Sequence, residues 1–174
     1  MKGLKIFIAL AGGALSVQIA AAQPPAPAIS NAYSNEAIAE MIRKYRTSRS
    51  YDVMPPSKLA AKFNADFPKA RDVEWEMADS IYEVEFGVRR RDWKAYYDAE
   101  GNLLMTIEEI SRSELPAVVK NAAEAKCPKY HFEDIDKIRR GTEVFYRIEM
   151  ELRDTEVKLL VQSNGTITEE KIDY

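Results

Sequence analysis

The sequence predicts an α+β fold of two tandem units, each a helix followed by four antiparallel strands, whose strands form one long curved sheet with the unit helices on one face. The first observation behind this prediction is a duplication. Pro56 and Pro68 bracket a short apolar-periodic stretch, and Pro116 and Pro128 bracket its echo 60 positions later. Further along, the copies match at an offset of 64, so the second copy carries an insertion of four residues in its first strand or the loop after it.

The second observation is the alternation of apolar and charged residues in the later part of each copy. Alternation with a period of two indicates antiparallel strands that are covered by helices on one side only. In the first copy it predicts strands over 73–77, 82–88, 93–97 and 103–107. The stretch 131–138, which should be the first strand of the second copy, alternates poorly. We therefore expect a bulge there.

Residues 1–22 are predicted to be a secretory signal peptide. Lys2 and Lys5 precede a short apolar run, and three alanines precede Gln23, which is the order of a charged region, an apolar region and a small-residue cleavage site. We expect an exported protein, periplasmic or extracellular, whose mature chain has no membrane span. With Cys127 as its only cysteine it has no internal disulfide, so a packed core must stabilise it.

Residues 23–55 hold a proline-rich tail and one extra amphipathic helix. Ser34 stands ahead of this helix as a cap, and apolar residues spaced three and four apart create one apolar face. That face consists of Ile38, Met41, Ile42 and Tyr45. Because the helix lies outside the repeat, the duplication does not fix its place on the sheet.

The repeats are predicted over 56–110 and 111–174, and each opens with a helix capped by a serine, Ser57 in the first copy. The duplication pairs Cys127 with Phe67 on the apolar faces of these helices. We therefore expect the Cys127 thiol to replace an aromatic ring in the core rather than to act as a reactive group.

The sequence carries no catalytic constellation. Its only histidine, His131, and Cys127 lack a third metal ligand of suitable spacing. Carboxylates such as Glu83 and Glu85 share a strand face without the apolar surroundings that would raise a pKa. The formal net charge is −3, with cations interspersed among anions, which argues against a nucleic-acid partner. We predict a non-enzymatic protein without cofactor or metal.

One surface is a candidate for binding a partner. On the sheet face opposite the repeat helices, each copy is predicted to place two apolar residues among charges, a pattern typical of protein interfaces. This candidate face comprises Ile81, Glu83, Glu85 and Tyr96 of the first copy and Phe145, Arg147, Glu149 and Leu160 of the second. Two interpretations stay open, since the face is either exposed for a partner or covered by the extra helix.

A set of motifs spans about residues 54–174. They are Phe63-x-x-x-Phe67-Pro68-x-Ala70-x-x-Val73-x-Trp75, Tyr82-Glu83-Val84-Glu85-Phe86, Trp93-Lys94-Ala95-Tyr96-Tyr97-Asp98, Gly101-Asn102-Leu103 and Ser113-Glu114-Leu115-Pro116. Together they resemble the beta-lactamase-inhibitor-like, PepSY-like family of secreted Bacteroides proteins. The resemblance implies two helix-plus-sheet units in one curved sheet, as in the beta-lactamase inhibitory protein, and PepSY modules are associated with restraining peptidases. That inhibitor's modules are disulfide-bonded, whereas this chain has only Cys127.

The sequence thus predicts a secreted or periplasmic protein-binding module of the inhibitor or chaperone type, with a protein or peptide partner in the cell envelope. The alternative is a protein that binds a small molecule or an envelope glycan through Trp75, Trp93 and Tyr97. The alternation argues against this alternative, because it places the three aromatic residues on the core face.

Overall fold

The computed structural model describes residues 26–173; the predicted signal peptide, residues 1–22, lies outside them. Within the described residues, nine strands form one antiparallel sheet in which each strand pairs with the next in chain order. The strands are β1 (Tyr51–Asp52), β2 (Arg71–Ala78), β3 (Ile81–Val88), β4 (Arg91–Tyr97), β5 (Leu103–Glu109), β6 (His131–Arg140), β7 (Glu143–Leu152), β8 (Thr155–Gln162) and β9 (Ile167–Asp173).

Three α-helices pack on this sheet. They are α1 (Asn35–Thr47), α2 (Ser57–Asp66) and α3 (Ala117–Lys126), and a 3₁₀ turn over Arg112–Glu114 precedes α3. The order confirms the predicted fold class, because α2 with β2–β5 and α3 with β6–β9 are two copies of one helix-plus-four-strand unit. None of the helices within residues 26–173 is both long enough and apolar enough to cross a bilayer.

Helices α2 and α3 lie on the same face of the sheet, which we call the repeat-helix face. In the first unit, Leu59 and Phe63 of α2 pack on Val84, Phe86 and Tyr97. In the second unit, α3 packs on the equivalent strand positions through Val119 and Ala123. Each unit thus has its own hydrophobic core on this face.

Phe67 and Cys127 occupy equivalent positions in these cores. Each is the C-cap of its helix, with φ and ψ of −129° and 67° for Phe67 and −123° and 68° for Cys127. Both side chains are buried, which confirms that the thiol takes the place of the ring. Burial also raises the pKa of the Cys127 thiol, so the reactive thiolate is disfavoured.

The predicted insertion lies at the tip of the β6–β7 hairpin. Ala78 and Ile81 form the last pair of the β2–β3 hairpin, whereas the equivalent pair, Ile138 and Phe145, is followed by two further pairs. These are Arg139 with Val144 and Arg140 with Glu143. The longer hairpin accounts for the four extra residues and confirms their predicted location.

The bulge predicted within 131–138 is also present. The register of β6 against β7 shifts between Phe132 and Ile135. Strand β2 has a shift at the equivalent place, between Arg71 and Glu74, so the bulge belongs to the repeated unit.

The serine caps predicted for the repeat helices are wrong. Pro56 and Pro116 occupy the N-cap positions of α2 and α3, and neither helix has a side-chain cap hydrogen bond. Ser57 is already the first residue of α2, where its hydroxyl cannot reach back as a cap. The fixed φ of proline sets the start of both helices instead.

Helix α1 lies on the opposite face of the sheet, which we call the α1 face. Its start is capped as predicted, because the backbone N–H of Ala37 donates to Ser34 Oγ at 3.2 Å. Its buried residues, Ile38, Ile42 and Tyr45, share one cluster with residues from both units. Helix α1 therefore bridges the two copies.

Residues 26–33 cross from the repeat-helix face to the α1 face past the β4–β5 turn. Ile29 packs against the core beneath α2, and the backbone N–H of Ser30 donates to the Leu103 carbonyl at 2.8 Å. Tyr33 packs in the cluster beneath α1, and its hydroxyl donates to Asp98 at 2.9 Å. These contacts fix the chain on both sides before α1 begins.

Candidate functional site

The residues predicted to bind a partner share the α1 face. They pair directly across strands, Glu83 with Tyr96, Glu85 with Lys94, Arg147 with Leu160 and Glu149 with Lys158. Ile107 of β5 pairs with Lys94 on one side and with Ile138 on the other, which joins the face across the two units. Sequence alternation therefore grouped these residues on the same side of the sheet as the structure does.

The apolar part of this face lies beneath α1. Ile81, Tyr96 and Phe145 are at most 6 % exposed and form one cluster with Ile38 of α1. Leu160 is half-buried and packs against the same cluster. The sequence left two interpretations of this face open. For these residues the second is correct, because helix α1 covers them.

Glu83 is a charged residue of this face that is also buried. It receives a hydrogen bond from Tyr96, and Lys94 Nζ lies 3.6 Å from its carboxylate. Burial raises the pKa of Glu83, whereas the hydrogen bond from Lys94 lowers the pKa of Glu85, which is exposed. Two carboxyl groups on the same strand face thus differ in their affinity for a proton.

Beyond α1, the α1 face forms an open groove of about 560 Å³, which we call the acidic groove. It crosses β2 to β7 and so includes strands of both units. Its charged lining consists of Asp72, Glu74, Glu85, Asp92, Lys94, Glu109, Asp134, Asp136, Arg147 and Glu149. The lining therefore contains eight carboxylates and only two cations.

Three carboxylates of the groove belong to ion pairs across strands. Lys94 pairs with Glu85, Arg147 Nε donates to Asp136 Oδ2 at 2.9 Å, and Lys158 at the groove's edge lies 3.1 Å from Glu149. Such pairs hold their side chains along the sheet surface but add little to stability because water screens them.

The other five carboxylates of the groove have no ion-pair partner among residues 26–173. They are Asp72, Glu74, Asp92, Glu109 and Asp134. They surround a floor that includes the buried side chain of Ile107. The result is an excess of negative charge along the groove, which cationic side chains would neutralise.

None of these five residues was predicted to belong to the site. Glu74 alternates with apolar neighbours on β2, so its face could have been assigned from the sequence. Asp72 and Asp134 sit in the bulges, where alternation fails and the direction of a side chain cannot be counted. The meeting of β5 with β6, which brings Glu109 next to Asp136, depends on the pairing of the two units.

The aromatic residues of the alternative function lie in the core of the first unit. Tyr97 is fully buried, and its hydroxyl donates to Asp66 at 3.0 Å. Trp75 and Trp93 are half-buried, with ring centroids 5.3 Å from Phe63 and 5.8 Å from Phe67 respectively. They are structural residues beneath α2 and do not form a platform for a sugar.

His131 and Cys127 do not come together as a metal pair. His131 is exposed at the start of β6, whereas Cys127 is buried under α3. Across the described part of the chain, no three His, Cys, Asp or Glu side chains are arranged to hold a metal ion.

Several solved structures share this fold. A DUF2874 family protein from Bacteroides uniformis matches with a TM-score of 0.62 and 19 % identity, over 68 % of this chain and 90 % of that one. A BLIP-like protein from Bacteroides fragilis matches with a TM-score of 0.59 and 21 % identity, over 69 % and 87 %. A putative periplasmic protein from Bacteroides eggerthii matches with a TM-score of 0.63 and 14 % identity, over 69 % and 90 %. At these identities the similarity establishes the fold alone.

The family is established by the sequence instead. None of the curated proteins compared with the chain matches it. One family model matches twice, over residues 32–105 and 105–169, in agreement with the internal duplication. The resemblance seen in the motifs is thereby confirmed. The chain belongs to the family described as "Putative beta-lactamase-inhibitor-like, PepSY-like".

Proposed function

We propose that this protein is a non-enzymatic binding module of the cell envelope, and that its acidic groove receives a basic segment of a protein partner. The observation that carries the proposal is the group of five carboxylates without ion-pair partners over the floor at Ile107. Mutual repulsion among these carboxylates is relieved when cationic side chains of a partner lie between them.

The shape of the groove favours a protein over a small molecule. Small-molecule sites are concave and bury most of the ligand. The acidic groove is instead an open stretch of sheet, with charged side chains at its rim and a buried aliphatic residue in its floor. An open, charged stretch of sheet suits an extended protein segment better than an enclosed small molecule.

The family and the expected location agree with this proposal. The family is inhibitor-like rather than catalytic in its description. The signal peptide predicted over residues 1–22 would deliver the protein to the envelope, and a protein of the same fold is described as periplasmic. The partner would then be an envelope protein with Lys or Arg side chains on the contacting segment.

The test is affinity capture from envelope extract, comparing the wild type with two charge variants. Glu74→Lys with Glu109→Lys reverses two groove carboxylates that have no ion-pair partner. Glu100→Lys with Asp154→Lys makes the same charge change in exposed turns outside the groove. We expect a partner that the wild type and the turn variant retain and the groove variant loses.

The captured protein would then be purified and its Kd measured at several salt concentrations. The groove variant should bind at least about tenfold more weakly, and wild-type affinity should fall as salt rises, since opposite charges meet at the rim. Equal binding by the groove variant and the wild type would contradict the proposal.

A further inference from the structure

A second charged surface, of opposite sign, lies at the outer end of β2 and β3. It is an open depression of about 870 Å³. Its charged lining consists of Lys69, Arg71, Arg89, Arg90 and Arg91 with the carboxylates of Asp72 and Asp92. A local excess of cations is unexpected in a chain whose formal net charge is −3.

Two separate segments bring these cations together. Lys69 comes from the link between α2 and β2, and Arg71 is the first residue of β2. Arg71 pairs with Gly87 near the end of β3, which places it beside the β3–β4 turn. Arg89 and Arg90 form that turn, because Val88 and Arg91 are the last pair of the hairpin. The sheet thus gathers cations that lie up to 22 positions apart in the chain (91 − 69).

The backbone of this turn is unfavourable for arginine. Arg89 has a φ of +53° and Arg90 a φ of +70°. Two-residue hairpin turns with positive φ at both positions strongly prefer Asn-Gly, because a side chain on Cβ is strained there. The turn therefore carries two guanidinium groups where local conformation alone would select other residues.

Four of the five cations have no carboxylate within ion-pair distance among residues 26–173. Arg91 is bound, since its guanidinium lies 3.3 Å from Glu108 and 2.7 Å from Glu114. Lys69, Arg71, Arg89 and Arg90 make no such pair and are exposed. Their donors are free to converge on an external anion.

A partly apolar depression of about 350 Å³ adjoins this surface, with Lys69 and Arg89 lining both and with Asp66, Glu108 and Lys137 as its other charged residues. Its walls include Phe67, Val88 and Trp93. An anionic group held by the cations could therefore carry an apolar portion that rests beside Trp93.

We propose that Lys69, Arg71, Arg89 and Arg90 form a binding site for phosphate esters, either on the headgroup of an anionic lipid or on a soluble molecule. Guanidinium groups bind phosphate oxygens through paired, charge-assisted hydrogen bonds, and lysine adds a point charge. The site adjoins the acidic groove, since Asp72, Gly87 and Asp92 line both. Its proposed ligand is an anion, so the inference goes beyond the binding of a basic protein segment.

The turn allows a test in which binding and stability change in opposite directions. Arg89→Asn with Arg90→Gly removes two cations and installs the residues that the backbone prefers. We expect Tm to rise by about 2–4 °C. Binding to inorganic pyrophosphate and to phosphatidylglycerol vesicles should weaken at least about tenfold, because two charge-assisted contacts are lost.

Two controls separate the site from general charge effects. Arg153→Asn with Asp154→Gly installs the same two residues in the equivalent turn of the second unit, where Arg153 alone has a positive φ, of +57°. Lys44→Gln with Arg49→Gln removes two exposed cations on and after α1. Both controls should bind like the wild type.

The two probes distinguish the sources of the phosphate. Binding to phosphatidylglycerol vesicles but not to pyrophosphate, with none to phosphatidylcholine vesicles, assigns the site to a lipid surface. Binding to pyrophosphate as well assigns it to phosphate groups in general, whether lipid-borne or free in solution. Failure of the wild type to bind either probe in about 50 mM salt, or equal binding by the Arg89 and Arg90 variant, overturns the proposal.

Discussion

Asn35 at the start of α1 and Thr142 in the β6–β7 turn form hydrogen bonds in both directions across 107 positions of the chain. The Thr142 backbone N–H donates to Asn35 Oδ1 at 3.0 Å, and Asn35 Nδ2 donates to Thr142 Oγ1 at 3.0 Å. Thr142 belongs to the tip that the insertion adds to the second unit. From the same tip, Arg139 donates to the Pro27 carbonyl at 2.9 Å. The insertion thus anchors the segment that lies outside the repeat.

Gly141→Ala should destabilise the protein by about 2–3 kcal/mol. Gly141 has a φ of +54°, and a Cβ there would lie 2.1 Å from Asn35 Oδ1. Thermal or urea denaturation measures the loss. Gly87→Ala is the matched control, because a Cβ at Gly87 meets nothing closer than 3.9 Å, and we expect stability within about 0.5 kcal/mol of wild type.

A double-mutant cycle tests whether the clash with Asn35 is the cause. In the Asn35→Ala background the side chain that meets the new Cβ is gone. Gly141→Ala should then cost about 1 kcal/mol less than it does in the wild type. Strict additivity of the two substitutions would show that the strain is confined to the turn backbone.

Ile38→Ala should cost about 3 kcal/mol, because Ile38 is fully buried in the cluster that α1 shares with both units. Arg43→Ala removes an exposed side chain of the same helix whose ion pair with Glu40 is on the surface, and it should change stability by less than about 0.5 kcal/mol. Equal, small effects would mean that α1 is not docked on the sheet.

Glu83 and Glu85 should affect the pH dependence of stability in opposite directions. The raised pKa of Glu83 means that its contribution is fully present below the unfolded pKa of about 4.3 and is lost as pH rises through the folded pKa. Glu83→Gln removes this loss. It should therefore flatten the decline in stability above about pH 4 and be at least as stable as wild type near neutral pH.

The lowered pKa of Glu85 gives the opposite sign. Its contribution is present above about pH 4.3 and is lost as pH falls through the folded pKa, because the pair with Lys94 breaks on protonation. Glu85→Gln should remove part of the acid-side loss. Denaturation curves for both variants between about pH 2.5 and 8 measure the slopes, and slopes of the same sign would contradict the assignment of the buried carboxyl to Glu83.

Phe67→Ala and Cys127→Ala compare equivalent positions of the two cores. We expect a loss of about 3–4 kcal/mol for Phe67→Ala and about 1 kcal/mol for Cys127→Ala, since a ring leaves the larger cavity. The native thiol should also react slowly with a disulfide reagent, because it is buried and its pKa is raised. Rapid native-state reaction would contradict the core placement of Cys127.

The duplication made much of this fold predictable from the sequence. Period-two alternation assigned Val84 and Phe86 to one face and Glu83 and Glu85 to the other, because each of these residues sits in a regular strand. The position of α1 was not predictable in this way. The apolar stripe of α1 is compatible with any apolar surface, so it does not indicate where the helix docks. The docking depends on Thr142 and on a row of residues from both units.

The charged surfaces were harder to predict because the alternation of residues along the strands does not define them. The acidic groove draws on bulges at Asp72 and Asp134, where alternation breaks down. The cationic depression had a visible signal in the run Arg89-Arg90-Arg91. The sequence does not reveal that Arg71 lies beside this run, because the register of β2 on β3 is shifted by the bulge.

Helix α1 shields an apolar row that occurs in each copy, and we expect this cover to limit self-association. Ile81 and Phe145 represent this row in the two units, and without the residues before Ser48 both would be uncovered at the middle of a wide sheet. Proteolysis ahead of Ser48 would then leave two largely intact cores whose exposed apolar surface promotes aggregation. The two duplicated units therefore rely on a segment outside the duplication to keep their apolar residues covered.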